Sequence, residues 1–420
     1  MNIRTWASVV VLPTLVIGLC IIGGIKVQAS QTVVKEQSVS AGSSNLTYKW
    51  EYDLEEGATL DDYELEMSTD ASFAEDDTIE FDSDNATFTK VSTSKFQIKI
   101  PFDKLGNGGA YYIRVKLAYT DASGQEYKMY SSVTQYTVVK INKSNFPGMY
   151  KLLKKGVYGK KKRYDADKDG YLTTQELQQI TELNNHVIVK KNKKYTNSEN
   201  VQYKVTSFKG IEYLTNLKTV DIGKYAKKIA DLRACTAKKA YFDYVLSSNI
   251  KVNAPNATSV YVFADEYAAS TKSVNVSSCK KAVELVVYGS FNKYLTVKMP
   301  KKNSHLRIVS LSYVTNKSID GNKYKNLNQL YLYAANTSSV KLTKCKNLHY
   351  AYFYFDLNLK KIDLTKNKKL RAVDAFQCFN LKKANIKTSS GKKTIDHGKW
   401  WYKTKAYKKE VKKINQYKSC

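Results

Sequence analysis

Three patterns predict a multi-domain chain: a β-sandwich, then a single helix-loop-helix around an acidic loop, then a solenoid of short repeats with a concave β-sheet. Residues 30–142 alternate apolar and polar side chains with a period of two, as strands with one buried face require. Residues 165–176 set carboxylates at alternate positions around a glycine. Beyond residue 205 an apolar Leu-x-x-Leu-x-Leu beat returns at intervals of 20 to 26 residues. A length of 420 residues suits several domains. Hydrophobic residues at 43% with 25% charged exclude wholesale disorder.

The first 29 residues read as a leader. Arg4 opens a charged n-region, Trp6 to Ile25 is almost unbroken apolar, and Val27-Gln28-Ala29 carries small residues at the −3 and −1 positions of a signal-peptidase site. Ser30 is the expected mature start. An uncleaved anchor stays open as the alternative, because an apolar run of about 20 residues can span a bilayer. A lipidated Cys20 fits poorly after Gly18 and Leu19. All three place the remainder outside the cytoplasm, so the expected location is secreted or cell-surface, with membrane contact only if the leader is retained. The cysteines beyond it, Cys235, Cys279, Cys345, Cys378 and Cys420, are odd in number and widely spaced, with no CxxC. That pattern supports neither a disulfide framework nor a zinc site, and small buried residues are expected.

In the first module, Tyr48–Tyr52, Tyr63–Met67, Phe96–Ile100 and Tyr112–Leu117 alternate, and clusters such as Leu105-Gly106-Asn107-Gly108-Gly109 separate them. Short strands with tight turns predict an antiparallel sandwich over residues 30–142. The runs YELEMSTDASF (63–73) and AYYIRVKLAYTDASGQEYKMYSS (110–132) resemble a fibronectin type III domain. That resemblance implies a tyrosine pinning a corner, at Tyr111 or Tyr112, and a spacer or binding module without chemistry of its own.

The sharpest motif is Asp165-Ala-Asp167-Lys-Asp169-Gly170-Tyr171-Leu172-Thr173-Thr-Gln-Glu176. A hard dication needs several oxygens converging from one short loop. Asp165, Asp167 and Asp169 supply carboxylates, Tyr171 a carbonyl, Thr173 an oxygen directly or through water, and Glu176 both oxygens of its carboxylate, with Gly170 at the sharp turn. This is an EF-hand loop, expected within residues 143–185, followed by a helix carrying Leu177, Ile180 and Leu183. Neighbouring Lys160, Lys161, Lys162, Arg163 and Lys168 repel a dication, and no second loop is present to pair with it. The expected Ca2+ affinity is therefore that of extracellular modules, ~10⁻⁴–10⁻³ M, which makes the ion a permanent structural clamp.

The repeats begin at Leu217, Ala237, Ala257, Val283, Leu306, Leu327, Leu348 and Leu370, with a second apolar beat such as Val340/Leu342 and Leu359/Ile362/Leu364. A period-two strand with a compact return makes a leucine-rich repeat, and stacking buries what no single unit can. The predicted solenoid spans 186–390, closed by a basic tail over 391–420 in which Trp400, Trp401 and Tyr402 cap the last unit. With VTSFKGIEYLTNLKTV (205–220) joined to NFPGMYKLL (145–153) and DADKDGYLTTQEL (165–177), this order resembles secreted EF-hand and leucine-rich repeat surface proteins of anaerobic Gram-positive bacteria. The residues eight positions after each first Leu, Tyr225, Val314, Ala335, Asp356 and Cys378, form no asparagine ladder.

The third, fifth and seventh positions of each unit should face out from the concave sheet. They hold Tyr331, Tyr333, Tyr350, Tyr352, Tyr354 and Phe376, with Tyr241, Tyr261 and Phe263 in earlier units. Tyrosine couples a flat apolar body to a hydroxyl and loses little entropy on binding. The band reads as a ligand face for a host or cell-wall glycan or protein; rings packed only on one another are the alternative. Residues 30–143 carry 11 basic and 19 acidic side chains, net −8, and residues 144–420 carry 55 and 19, net +36. Lysine outnumbers arginine 62 to 6, which disfavours specific nucleic-acid readout, while the positive field suits anionic polymers. No GxSxG, HExxH or phosphate loop is present. The expected function is a non-catalytic binding or adhesion protein; the alternative is an envelope scaffold held electrostatically to anionic wall polymers.

Overall fold

A computed structural model describes residues 33–82, 84–156, 164–186, 203–264 and 271–386. The leader, the C-terminal cap with Trp400, Trp401 and Tyr402, and the basic run 160–163 lie outside the described residues. Within them the chain is multi-domain, with a β-rich N-terminal region and a C-terminal β-solenoid. None of the described helices is long and apolar enough to cross a membrane.

Alternation builds the N-terminal region. In Asn45–Asp53, Leu46, Tyr48, Trp50 and Tyr52 are buried while Lys49 and Asp53 stay exposed. The four alternating segments named above all lie in strands. One antiparallel sheet is ordered Val33–Ala41, Asn45–Asp53, Lys95–Pro101, Thr87–Lys90. The other runs Thr78–Phe81, Thr59–Ser68, Gly108–Thr120, Thr134–Lys140, with Glu126–Tyr130 also on Gly108–Thr120. Trp50, Phe96, Val115 and Leu117 share the core between them. Tyr111 donates its hydroxyl to the Leu105 carbonyl at 3.2 Å, tying the strand to the turn before it.

The acidic loop does have a β-partner, and it comes from the other module. Tyr171–Thr173 pairs antiparallel with Val138–Lys140, the end of the last sandwich strand. Ile141 N–H donates to the Gly170 carbonyl at 2.8 Å, and Thr137 N–H to Thr174 Oγ1 at 2.7 Å. Because neighbours on a strand face opposite ways, Val138 enters the sandwich core and Val139 the next core along, with Leu172, Leu177 and Leu183. The helix Thr174–Gln179 is one turn and a half, and Leu183, expected on it, lies instead in Glu182–Asn184. A spacing of three fits a turn followed by a strand as well as a helix, and pairing with Val220 buries Leu183 completely. The loop module thus donates the first strand of the solenoid. At the crossing, Gly148 lies against the Ser207 backbone so closely that a Cβ would come within 2.1 Å of its nitrogen.

Nine parallel strands then form the concave sheet: Glu182–Asn184, Thr219–Gly223, Lys239–Val245, Ser259–Ala264, Glu284–Tyr288, Ile308–Ser312, Gln329–Tyr333, Tyr350–Tyr354 and Ala372–Asp374. Short strands on the return form two further parallel sheets. The second apolar beat supplies them, as in Ser339–Lys341 and Lys361–Leu364. Register corrects one unit: Glu284 pairs with Ser259 and Ile308, so Ala282, not Val283, holds its first position. A slip of one residue exchanges the two faces of a strand.

A ladder also exists, at a different position from the one expected. Tyr225, Val314 and Ala335 are buried core-fillers, while Asp356 accepts from Thr337 N–H at 2.9 Å and Cys378 Sγ donates to the Phe353 carbonyl at 3.2 Å, each in the previous coil. In the preceding turn, Asn256 donates to the Cys235 carbonyl, Cys279 Sγ to Val252, Asn303 to Cys279, Tyr324 to Pro300, Cys345 Sγ to Gly321 and Asn367 to Cys345. Each side chain satisfies a carbonyl of the previous coil, so cysteine, asparagine and tyrosine are interchangeable donors there. The four described cysteines are buried and free, as expected of repeat-core residues.

Asn367→Ala would remove the side-chain amide from the Leu342 and Cys345 carbonyls (2.9 and 2.8 Å), leaving each with the backbone N–H it also accepts, from Cys345 and Leu348. A loss of about 1–2 kcal/mol in denaturant unfolding is expected, against almost none for exposed Asn358→Ala. Asp356 gives a pH signature. Burial pushes its carboxyl up from 3.8 to about 6, although the Thr337 N–H donates to it. The native state then holds a proton that the unfolded chain releases, so this group's stabilisation is complete below about pH 4 and is lost as pH rises through 6. Asp356→Asn keeps the acceptor and should flatten that slope, raising stability at pH 7 by about 1–3 kcal/mol. Thermal melts across pH 4–8 read both effects.

Candidate functional site

Two sets of side chains are candidates, and the fold builds each by a different local rule. The first is the acidic loop. Gly170 takes φ 90° and Lys168 φ 69°, which folds the loop back on Asp165. The buried Asp165 carboxylate accepts from Lys168 N–H at 2.6 Å and Gly170 N–H at 3.2 Å. Asp169 accepts from Tyr171 N–H at 2.7 Å, and Asp167 from Asp169 N–H at 3.2 Å. This brings oxygens of Asp165, Asp167 and Asp169 within 4.8 Å of one another.

Three carboxylates in that space oppose their own ionisation. Burial first, then the neighbouring carboxylates, hold Asp169 up at about 7 and raise Asp165 as well. Asp169 Oδ2 is buried without a hydrogen-bond partner. An unpaired buried oxygen facing two more carboxylates is the chemistry of a cation seat. Glu176 is not in this cluster. Its Oε1 accepts from Ala166 N–H at 2.8 Å, and its Oε2 from Thr173 N–H at 3.0 Å. Thr173 caps the following helix in return, so Thr173 and Glu176 close the loop as a capping box. Of the six predicted ligands, three converge, two form that box, and Tyr171 contributes the paired backbone of the short strand.

The second set is the sheet face. Strands alternate buried and half-buried residues, and Tyr241, Tyr261, Phe263, Tyr331, Tyr333, Tyr350, Tyr352 and Tyr354 all occupy the half-buried side. Phe376, just past the last strand, is half-buried too. Parallel register lines them into rows: Tyr241 beside Tyr261, Tyr331 beside Tyr352, Tyr333 beside Tyr354. Ring centroids stand 5.2 Å apart for Tyr241–Tyr261 and 5.0 Å for Tyr331–Tyr352. Some hydroxyls are held by neighbours on the same face: Tyr261 donates to Glu284, Tyr331 to Gln329 at 3.0 Å and Tyr354 to Asp374 at 3.1 Å. Burial, then the carboxylate, pushes Tyr261 and Tyr354 up to about 12, which keeps those protons in place.

Sequence reasoning missed three rings that make the band continuous. Tyr288 was hidden by the one-residue slip at Ala282. Tyr313 and Phe355 sit in the turns after the strands, at φ 52° and 56°. There the N–H of Tyr313 donates to the Tyr333 carbonyl of the next coil at 2.9 Å, and that of Phe355 to Phe376 at 2.9 Å. Lys224 and Ala334 make the same contact in the same conformation, whereas Gly289 makes it to the Ser312 carbonyl at 2.8 Å without a positive φ. A bulky L-residue there costs about 1–2 kcal/mol, and the turn carries its side chain to the edge of the face. Centroids then run Phe263–Tyr288 6.0 Å, Tyr288–Tyr313 5.2 Å, Tyr313–Tyr333 5.3 Å, Tyr333–Phe355 5.2 Å and Phe355–Phe376 5.6 Å. The signal available in the sequence was the residue directly after each strand.

No family model matches this chain, and no curated protein matches it. Among solved structures, similarity is found to the functional domain of InlJ from Listeria monocytogenes, described as including a cysteine ladder. It covers 62% of this chain and 74% of that one, at 13% identity and a TM-score of 0.20.

Calcium in tenfold excess over a dissociation constant of ~10⁻⁴–10⁻³ M should stabilise the protein by about 1.4 kcal/mol. Differential scanning calorimetry with and without calcium reads this as a higher midpoint. Asp167→Ala, at an exposed member of the cluster, should abolish the shift and leave the calcium-free midpoint nearly unchanged. Sub-micromolar binding by titration calorimetry would contradict the weak, permanently filled site.

Proposed function

We propose that this chain is an extracellular, non-catalytic binding protein that holds its ligand on the aromatic face of the concave sheet. The observation that carries this reading is the half-buried band of rings from Tyr241 to Phe376, on the side of the sheet away from the packed core. A face of aromatics with hydroxyls at their edges supplies contact area at low entropic cost. A host or cell-wall glycan and a protein are both ligands of that chemistry.

One Ca2+ ion belongs to the same proposal. Asp165, Asp167 and Asp169 would hold it with Glu176, the Tyr171 carbonyl and a Thr173 oxygen. Bound there, the ion supplies charge neutralisation to a crowded loop and leaves the ligand face untouched. Asp165 and Asp169 fix the loop to the strand Tyr171–Thr173, and that strand fixes the solenoid to the sandwich.

A second reading, a scaffold held to anionic wall polymers, draws on the lysines. Among the described residues, Lys239 is the lysine at an outward position of the nine strands. The positive charge of the described residues is therefore carried by turns, edges and the return side.

Binding of the full chain to neutral glycans, anionic polymers and basic and acidic polypeptides, at low and high salt, separates the two. The first reading expects a salt-resistant ligand that Tyr350→Ala/Tyr352→Ala/Tyr354→Ala abolishes. Binding to anionic polymers alone, collapsing with salt and indifferent to that triple substitution, would establish the second.

A further inference from the structure

The ligand face carries charge of the opposite sign to the body that bears it. Residues 144–420 are net +36, yet the outward positions of the nine strands hold Glu182, Asp221, Asp243, Glu284 and Asp374 against Lys239. The carboxylates are also unevenly placed. Asp221, Asp243 and Glu284 surround the first group of rings: Asp221 lies beside Tyr241 in register, Asp243 follows Tyr241 two residues on, and Glu284 accepts the Tyr261 hydroxyl. Asp221 and Asp243 are close enough to Tyr241 to oppose ionisation of its hydroxyl. All three are half-buried and none is sealed from solvent. Between Glu284 and Asp374 the outward positions carry no charge.

Asp221 already accepts from Asn184 Nδ2 at 3.2 Å and lies 3.0 Å from His186 Nε2, and an incoming group at this end still meets a surface dominated by carboxylate oxygens. Carboxylate oxygens and electron-rich ring faces both attract a cation, and the Tyr261 proton is already engaged by Glu284. A phosphate or an acidic sugar would be repelled here. Even with lysines elsewhere on the molecule, screening over about 8 Å at physiological ionic strength makes the nearest charges decide.

We propose that the amino-terminal end of the concave face, where Asp221, Asp243 and Glu284 flank Tyr241, Tyr261 and Phe263, seats lysine or arginine side chains of a polypeptide partner. This rests on the reading of the sheet face as the ligand site and names its partner. The guanidinium or ammonium group lies against the rings and the carboxylates complete its hydrogen bonds, while the uncharged tyrosines from Tyr331 to Tyr354 take the apolar part of the same segment. The molecule is then two-signed: its back and edges suit anionic polymers, and its front takes a basic chain.

The test is fluorescence titration of the full chain, in calcium, with an arginine–serine repeat peptide, its glutamate–serine counterpart and a neutral cello-oligosaccharide. The arginine peptide is expected to bind and the glutamate peptide not. Tyr241→Ala, and separately Asp243→Asn/Glu284→Gln, which keeps shape and removes charge, should each weaken it about tenfold, with melting midpoints unchanged. An arginine peptide held equally well by both variants is bound elsewhere, most simply on the acidic sandwich, and overturns the proposal. Binding of the oligosaccharide alone, lost in Tyr352→Ala, also overturns it but leaves the sheet face as the site. If no probe depends on any residue of the face, both the partner and the face are wrong.

Discussion

One strand holds the molecule together. Thr134–Lys140 closes the sandwich sheet on one edge and pairs with the acidic loop on the other. Its adjacent valines, Val138 and Val139, go into different hydrophobic cores. Two cores that share one backbone segment cannot rotate freely about it, because any turn of the strand would withdraw one valine as it advanced the other. The solenoid inherits this fixed point. Its first strand, Glu182–Asn184, begins three residues after the helix that the loop caps, and every later strand is registered on its predecessor. The orientation of the aromatic face relative to the sandwich thus traces back to one seven-residue strand with two adjacent buried valines.

The solenoid itself is a repeated solution to one problem, the pairing of buried carbonyls between coils. In the outer turn, side chains of asparagine, cysteine or tyrosine do this. In the turn after the strand, a backbone N–H does it, and at Lys224, Tyr313, Ala334 and Phe355 the geometry is left-handed. That second solution has a by-product. The residue in the left-handed turn is pushed to the edge of the concave sheet whatever it is, and two coils place aromatic rings there. Structural necessity sets the position, while the identity of Tyr313 and Phe355 is free to serve the surface.

Much of this was legible in the sequence because it depends on period. The alternating segments of the sandwich, the out-facing tyrosines and the aspartates of the loop each follow from a local rule that the fold obeys. What was not legible depends on pairing. Leu183 belongs to a strand because Val220 lies beside it, which no helical count reveals. Val283 and Ala282 are both apolar, and only the pairing of Glu284 with Ser259 and Ile308 shows which holds the first position and brings Tyr288 to the outward side. The ladder was sought where asparagine would stand, and several chemically different donors were doing the same task in another turn. The loop's β-partner was sought in a second loop, and it lay in the sandwich.

The buried cysteines of the repeats carry a further consequence. Cys279, Cys345 and Cys378 are pushed up to about 11, 12 and 12, all by burial first, and Cys235 is raised as well. A thiol that neither ionises nor meets solvent reacts with almost nothing. Each is shielded by the contact between one coil and the next, so its chemistry is latent and is released only by local parting of the stack. In oxidising surroundings such an opening would expose the cysteine concerned to oxidation. The chain would carry a history of where it had come apart, written at four points along its axis.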